Sequence, residues 1–228
     1  MNQLNTWWRD TTGSRVTPSM YLDSFGETLY MVGISLFIGA LVGIPLALAL
    51  VITRPGGLRP NKVVYGILNV AVNIVRSLPF IILLVAITPF TRAIAGSAIG
   101  TTAALVPLTL YIAPFIARLI EQSLLEVNPG ITEAADSMGA TMWQTIRYFL
   151  LPEAKSSIIL AVTTATVGLI SATAMAGTIG GGGVGDLAIS YGYQQFDSVA
   201  MLTTVIILII VVQAIQSLGN TFARRARA

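Results

Sequence analysis

Five stretches of this chain run for about twenty residues each with almost no charge, and in water such stretches have nowhere to hide. They lie at about 28–52, 63–87, 98–119, 157–179 and 198–218. Inside a bilayer each backbone N–H and C=O must find its partner within its own segment, so runs of this length become helices. The predicted fold is all-α and polytopic, one transmembrane domain over residues 1–228 with about five spans. Composition agrees: 54% of the residues are hydrophobic and 10% are charged, against roughly 25% charged in soluble domains.

The connections fix an expected orientation. Arg54, Arg59 and Lys62 fill the first loop, Arg118, Arg147 and Lys155 flank or occupy the third, and Arg224, Arg225 and Arg227 end the chain. Arg9, Arg15 and Arg92 are on the other side. The positive-inside rule puts the richer side, with the C-terminus, in the cytoplasm and the N-terminus outside. An odd number of spans excludes two equal halves. The first 25 residues mix charges, Pro and Gly, lack the apolar stretch of a cleavable signal peptide and read as a tail. Trp7, Trp8 and Tyr21 read either as headgroup anchors or as ordinary tail aromatics.

Several chemistries are excluded at once. The chain has no cysteine and no histidine, which removes disulfides, Cys/His metal sites, histidine proton relays and His-dependent triads. A net charge of +3 is too small to argue for nucleic acid. No paired carboxylates or nucleophile–base pair falls at membrane depth, as an embedded enzyme needs. No Asp or Glu lies mid-span, where an ion-coupled secondary transporter usually places one.

One segment is out of place among the apolar runs, the polar island at about 126–155. Asn128-Pro129-Gly130 reads as a turn. Thr132 is a candidate N-cap, with Glu133 and Asp136 in the first turn, where the helix dipole favours them. Gly139 suits the left-handed position after a helix. Thr141 and Gln144 fit a capping box. The expectation is a short helix, a glycine bend and a second short amphipathic helix carrying Trp143, Ile146 and Phe149, closed by Pro152. Such a pair lies either on lipid or in a partner's groove. The acidic lean of the region (Glu121, Glu126, Glu133, Asp136 and Glu153 against three basic groups) disfavours anionic lipid and favours a protein.

Glu133-Ala134-Ala135, then Gly139 after three residues, then Leu151-Pro152 resembles the EAA loop of permease subunits in ABC importers, with Phe149 where the family pattern has Ile. Segments 73–92, 103–126, 133–154 and 177–194 are similar to the methionine-importer permease subfamily. The resemblance implies that Glu133, Ala134, Ala135, Asp136, Gly139, Ala140, Leu151 and Pro152 couple the chain to a separate ATPase, which binds ATP and Mg. This chain is then expected to hold no cofactor, metal or catalytic residue of its own. The implied partners are a second copy, two ATPase subunits, an external substrate-binding lipoprotein and membrane lipid. The implied cargo is D- or L-methionine crossing a bacterial inner membrane, with another small amino acid as the alternative.

Further positions carry expectations of their own. Gly180-x-Gly182-x-x-Gly185 matches a dinucleotide pattern but follows a membrane span, so a flexible external bend is the better reading. Gly182, Gly185, Tyr191 and Tyr193 are expected to face the binding protein. Arg76 is a full charge deep in an apolar run, at a cost of at least ~2.5 kcal/mol on insertion scales. Asn69 and Asn73 share its helix face. With Ser77, Arg76 either bonds carbonyls at a Pro79 kink or lines the substrate path. Met175, alone among small residues, reads as a hydrophobic gate or as core filling. Gly39 and Gly43 suggest packing within the subunit. The Gly168, Ala172, Ala176 stripe suggests a subunit or pore contact.

Overall fold

The computed structural model describes residues 2–227. Among them every regular element is helical: α1 (Asn2–Thr12), α2 (Pro18–Thr53), α3 (Lys62–Ser77), α4 (Phe80–Ala86), α5 (Thr88–Ala95), α6 (Thr101–Leu125), α7 (Pro129–Ser137), α8 (Met142–Gly177), α9 (Gly183–Leu187) and α10 (Ser198–Arg227). A π turn, Thr145–Leu150, lies within α8, and another, Ala188–Tyr193, continues α9.

Four of the five predicted spans appear as the long apolar helices α2, α6, α8 and α10. The span expected at 63–87 is instead a bent pair, α3 and α4, meeting at 102°. Leu78, before the proline, is extended at φ −85° and ψ 129°. The ring of Pro79 disfavours helical backbone at the preceding residue, and Pro79 has no N–H to continue the ladder.

The segment 1–25, read from its composition as a tail, carries helix. Residues 2–12 form α1, and α2 already starts at Pro18, where proline's fixed φ suits the first helical turn. At 36 residues, α2 is ~54 Å long and outreaches a hydrocarbon core of ~30 Å. Tyr21 is no headgroup anchor. It is buried with Val16, Leu187 and Ala200 in a small second cluster that Trp8 and Tyr191 flank, while Trp7 is exposed.

The core forms around α6. Leu108, Ile112, Ile116 and Ile120 recur every fourth residue, and all are buried. Gly39 and Gly43 of α2 lie on this row, where a Cβ on Gly43 would stand 2.6 Å from the Ala113 carbonyl oxygen. Close backbone approach replaces the hydrophobic driving force that lipid removes. The C-terminal helix α10 seats Gly219 on Thr163 of α8, and Ser156 Oγ donates to the Ala223 carbonyl at 3.0 Å.

The expectation for the small stripe on α8 is corrected here. Ala172 and Ala176 are buried in the core and Gly168 meets Phe115 of α6, so the stripe packs within the subunit. The outward stripe of α8 is Thr164, Ser171, Met175 and Thr178.

Candidate coupling loop and translocation face

The polar island builds a capped helix. Asn128, not Thr132, caps α7: its side chain accepts from the Gly130 N–H at 2.9 Å, and Pro129 occupies the first turn. Thr132 lies one turn later, its hydroxyl donating to the Pro129 carbonyl at 2.7 Å. The helix ends as the sequence predicts. Gly139 has φ +70°, its N–H donates to the Asp136 carbonyl, and the Ala140 N–H donates to that of Ala135 at 3.0 Å. This is a Schellman closure. Thr141 and Gln144 then form the expected capping box, with the Thr141 N–H donating to Gln144 Oε1 at 2.7 Å.

Pro152 does not close a second short helix. Residues 142–177 run as one 36-residue helix. Pro152 lacks a donor and its ring would crowd the carbonyl four residues back in regular α geometry. The preceding turn is π, with the Leu151 N–H donating to Ile146, and this wider turn admits the proline without ending the helix. The second half of the island is therefore the near end of the membrane helix itself.

Ala135 is fully buried and pins α7, while Glu133, Ala134, Asp136, Ser137 and Met138 are exposed. Ala140 and Leu151 are half-buried and Pro152 is exposed. Glu133, Asp136 and Arg54 all line an open cleft of about 500 Å³ between α7 and the α2–α3 loop. Glu121 does not belong to this acidic surface. It is 2% exposed within α6.

The other cluster surrounds the α3–α4 break. Arg118 of α6 pairs with Glu121 at 2.7 Å and donates to Asn69 Oδ1 at 2.7 Å and Asn73 Oδ1 at 2.9 Å. The two asparagines expected beside Arg76 thus serve Arg118. Arg76 is exposed, and among the described residues its guanidinium makes no ion pair or hydrogen bond. It lies 6.0 Å from the Phe115 ring centre. Phe115 stacks on Tyr111 at 5.9 Å, and Phe80 meets Tyr111 edge-on at 5.3 Å. Ser77 donates to the Ile74 carbonyl at 2.8 Å. Met175 is 46% exposed, so it is not ordinary core filling.

At the opposite end, the glycine bend is tied rather than flexible. The Gly183 N–H donates to Glu27 Oε2 at 2.7 Å, the Val184 N–H to Thr28 Oγ1 at 2.9 Å, and the Gly100 N–H to the Gly180 carbonyl at 3.0 Å. Gly182 and Gly183 hold φ +77° and +81°. Gly185 is buried with its backbone against Ala174, so it packs α9 on α8 rather than meeting solvent. Gly182 and Tyr191 are half-buried; Tyr193 and, at φ +57°, Phe196 are exposed.

Asp197 joins this end of the molecule. It accepts from Ser14 Oγ and the Arg15 N–H at 2.8 Å and from the Ala200 N–H at 2.9 Å. Burial works against its ionisation, but the N–H of Ala200, that of Arg15, the Ser14 hydroxyl and the Val199 N–H outweigh it. The carboxyl is held below the usual aspartate range. An Asp before the Ser-Val-Ala start of α10 is a readable cap signal; its tie to Ser14 and Arg15 is not readable.

The family model for the inner membrane component of binding-protein-dependent transport systems matches residues 35–228. The chain belongs to this family. Within it, the chain is 52% identical over 206 residues to a probable D-methionine transport system permease protein of Vibrio cholerae, covering 90% of this chain and 92% of that one. It is 46% identical over 200 residues to the protein of the same description from Pasteurella multocida, covering 87% and 92%. Among solved structures, an inward-facing methionine ABC transporter gives a TM-score of 0.88 at 42% identity, covering 91% of this chain and 96% of the other. An amino acid ABC transporter matches at 21% identity with a TM-score of 0.76, over 91% and 94%, a likeness of fold. The family's all-α permease fold accounts for the four long helices and the bent pair.

Proposed function

We propose that the chain is the permease subunit of an ATP-driven methionine importer in a bacterial inner membrane. Two copies dock two ATPase subunits and receive substrate from an external binding protein, and ATP chemistry belongs to the ATPase. The observation that carries this reading is α7, a helix capped at both ends, pinned by buried Ala135 and exposing Glu133 and Asp136. Its Gly139 bend leads straight into α8, so a push on α7 is delivered to the membrane helix without a flexible joint. Glu133, Ala134, Ala135, Asp136, Gly139, Ala140, Leu151 and Pro152 form the coupling segment.

In this reading α7, the α2–α3 loop and the end of α10 are cytoplasmic, and α1 is outside. Gly182, Tyr191 and Tyr193, with Phe196 beside them, turn to the binding protein. Met175 closes the path between alternately open faces. An ion-coupled carrier fits less well, because Glu121, the most deeply buried carboxylate described, is committed to Arg118.

The test is co-purification and vesicle uptake. Glu133→Lys and Gly139→Val are expected to lose the stoichiometric ATPase and ATP-driven uptake of labelled methionine while the permease still elutes as a folded dimer. Normal assembly and uptake in both variants defeats the coupling role. Wild-type vesicles that fail to accumulate methionine defeat the substrate assignment.

A further inference from the structure

At the α3–α4 break an uncommitted guanidinium stands beside stacked aromatic rings. We propose that Arg76, Phe115 and Tyr111 form a binding site within the permease for an α-amino acid, the guanidinium pairing with its carboxylate and the rings receiving its side chain. The proposal rests on the importer reading and adds a site to it.

Charge supplies the first argument. Arg118, also in this region, is neutralised by Glu121 and held by Asn69 and Asn73. That leaves Arg76 without an ion pair or hydrogen bond among the described residues, with Glu121 acting on it only from longer range. A planar guanidinium matches a carboxylate with two parallel hydrogen bonds. Its 6.0 Å distance from Phe115 is the outer limit of a cation–π contact, so the ring does not lock it.

Shape supplies the second. The 102° bend ends α3 at Ser77, leaving Arg76 in the last turn of a helix that stops beside the aromatic face of α6. Tyr111 and Phe115 are one turn apart and stacked, with Phe80 closing the edge. Gly168 of α8 presents no side chain to Phe115, and an added Cβ would only touch its ring, at 3.7 Å. A thioether suits such rings, since sulfur makes favourable contacts at aromatic edges. A carboxylate at one end and a flexible apolar tail at the other describe methionine of either hand.

The experiment uses the purified permease–ATPase complex without its binding protein, by equilibrium dialysis with labelled L- and D-methionine. Saturable binding is expected, with Arg76→Gln weakening it at least about tenfold, the loss of one charge-assisted pair, and Arg76→Lys restoring part of it. Phe115→Ala is expected to weaken methionine more than alanine as competitor. 3-(Methylthio)propylamine, which lacks the carboxylate, is expected not to compete. No saturable binding by wild type up to about 10 mM, equal binding by an assembled Arg76→Gln complex, or full competition by the amine overturns the site. Should Arg76→Gln fail to assemble, the amine competition on wild type decides. Methionine uptake by wild-type vesicles with no binding to this complex overturns the site and leaves the importer reading standing.

Discussion

Asp197 shows how much one side chain decides. Its two oxygens tie the segment after α1 to the start of α10, partners 182 and 183 residues away in sequence on one side and three on the other. Because its carboxyl is held below the usual range, the ion's stabilisation is complete above the unfolded pKa of about 3.9 and fades as pH falls through the lower, folded value. Thermal unfolding of the detergent-solubilised protein should therefore lose stability below about pH 4. Asp197→Asn should cost about 1 kcal/mol at neutral pH and flatten that acid limb. A wild-type limb no steeper than the variant's rejects the assignment. The N-cap half of this site is legible, since it spans three residues; the other half requires two distant segments to meet. The same distinction explains Asn69 and Asn73. Helical spacing puts them on the face of Arg76, but α6 crosses there and offers Arg118, already paired with Glu121.

At the scale of elements, caps and breaks are local and largely legible. Gly139, the Thr141–Gln144 box and the interruption at Pro79 each follow from backbone sterics within a few residues. Pro152 is the exception, because a π turn upstream gives its ring room and lets α8 continue. Small-residue stripes are ambiguous for a different reason: spacing shows that a face permits close approach, not what approaches. On α2 the stripe meets α6. A Cβ at position 43 would stand 2.6 Å from the Ala113 carbonyl oxygen and 3.0 Å from Ile116 Cβ, whereas one at Gly33 meets open space. Gly43→Ala should therefore cost about 1–3 kcal/mol by overpacking, and Gly33→Ala should be neutral or gain up to about 1 kcal/mol from helix propensity. Thermal unfolding in detergent compares the two directly. Equal effects would mean that α2 and α6 do not approach as closely as described.

For the whole molecule, the face of α8 left outside the core is Thr164, Ser171, Met175 and Thr178. A helix in the middle of a transport domain that turns hydroxyls and one methionine outward presents them to a second copy or to water in a path. The chain has no cysteine, so single cysteines report this without background. Ser171→Cys is expected to cross-link two copies in the assembled complex on mild oxidation, while Ser156→Cys, buried against α10, is not. Met175→Ala should then raise substrate leak or ATP hydrolysis uncoupled from uptake. Absence of the Ser171→Cys cross-link in an intact complex removes α8 from the dimer axis, and unchanged leak and coupling remove Met175 as the gate.

By itself the sequence determined the solvent, the helical class, the capped helix α7 with its glycine end and its resemblance to ABC importer permeases. Hydropathy over twenty residues measures transfer into lipid, and caps act within one turn, so both are written locally. Only the tertiary structure decided which way each small stripe faces, that residues 63–87 bend through 102°, that Glu27 holds the glycine bend, and that Arg118 takes the asparagines and leaves Arg76 open. Those outcomes depend on which helix arrives opposite a given side chain. Lipid makes all apolar faces nearly equivalent, so close packing and the few polar partners settle the arrangement.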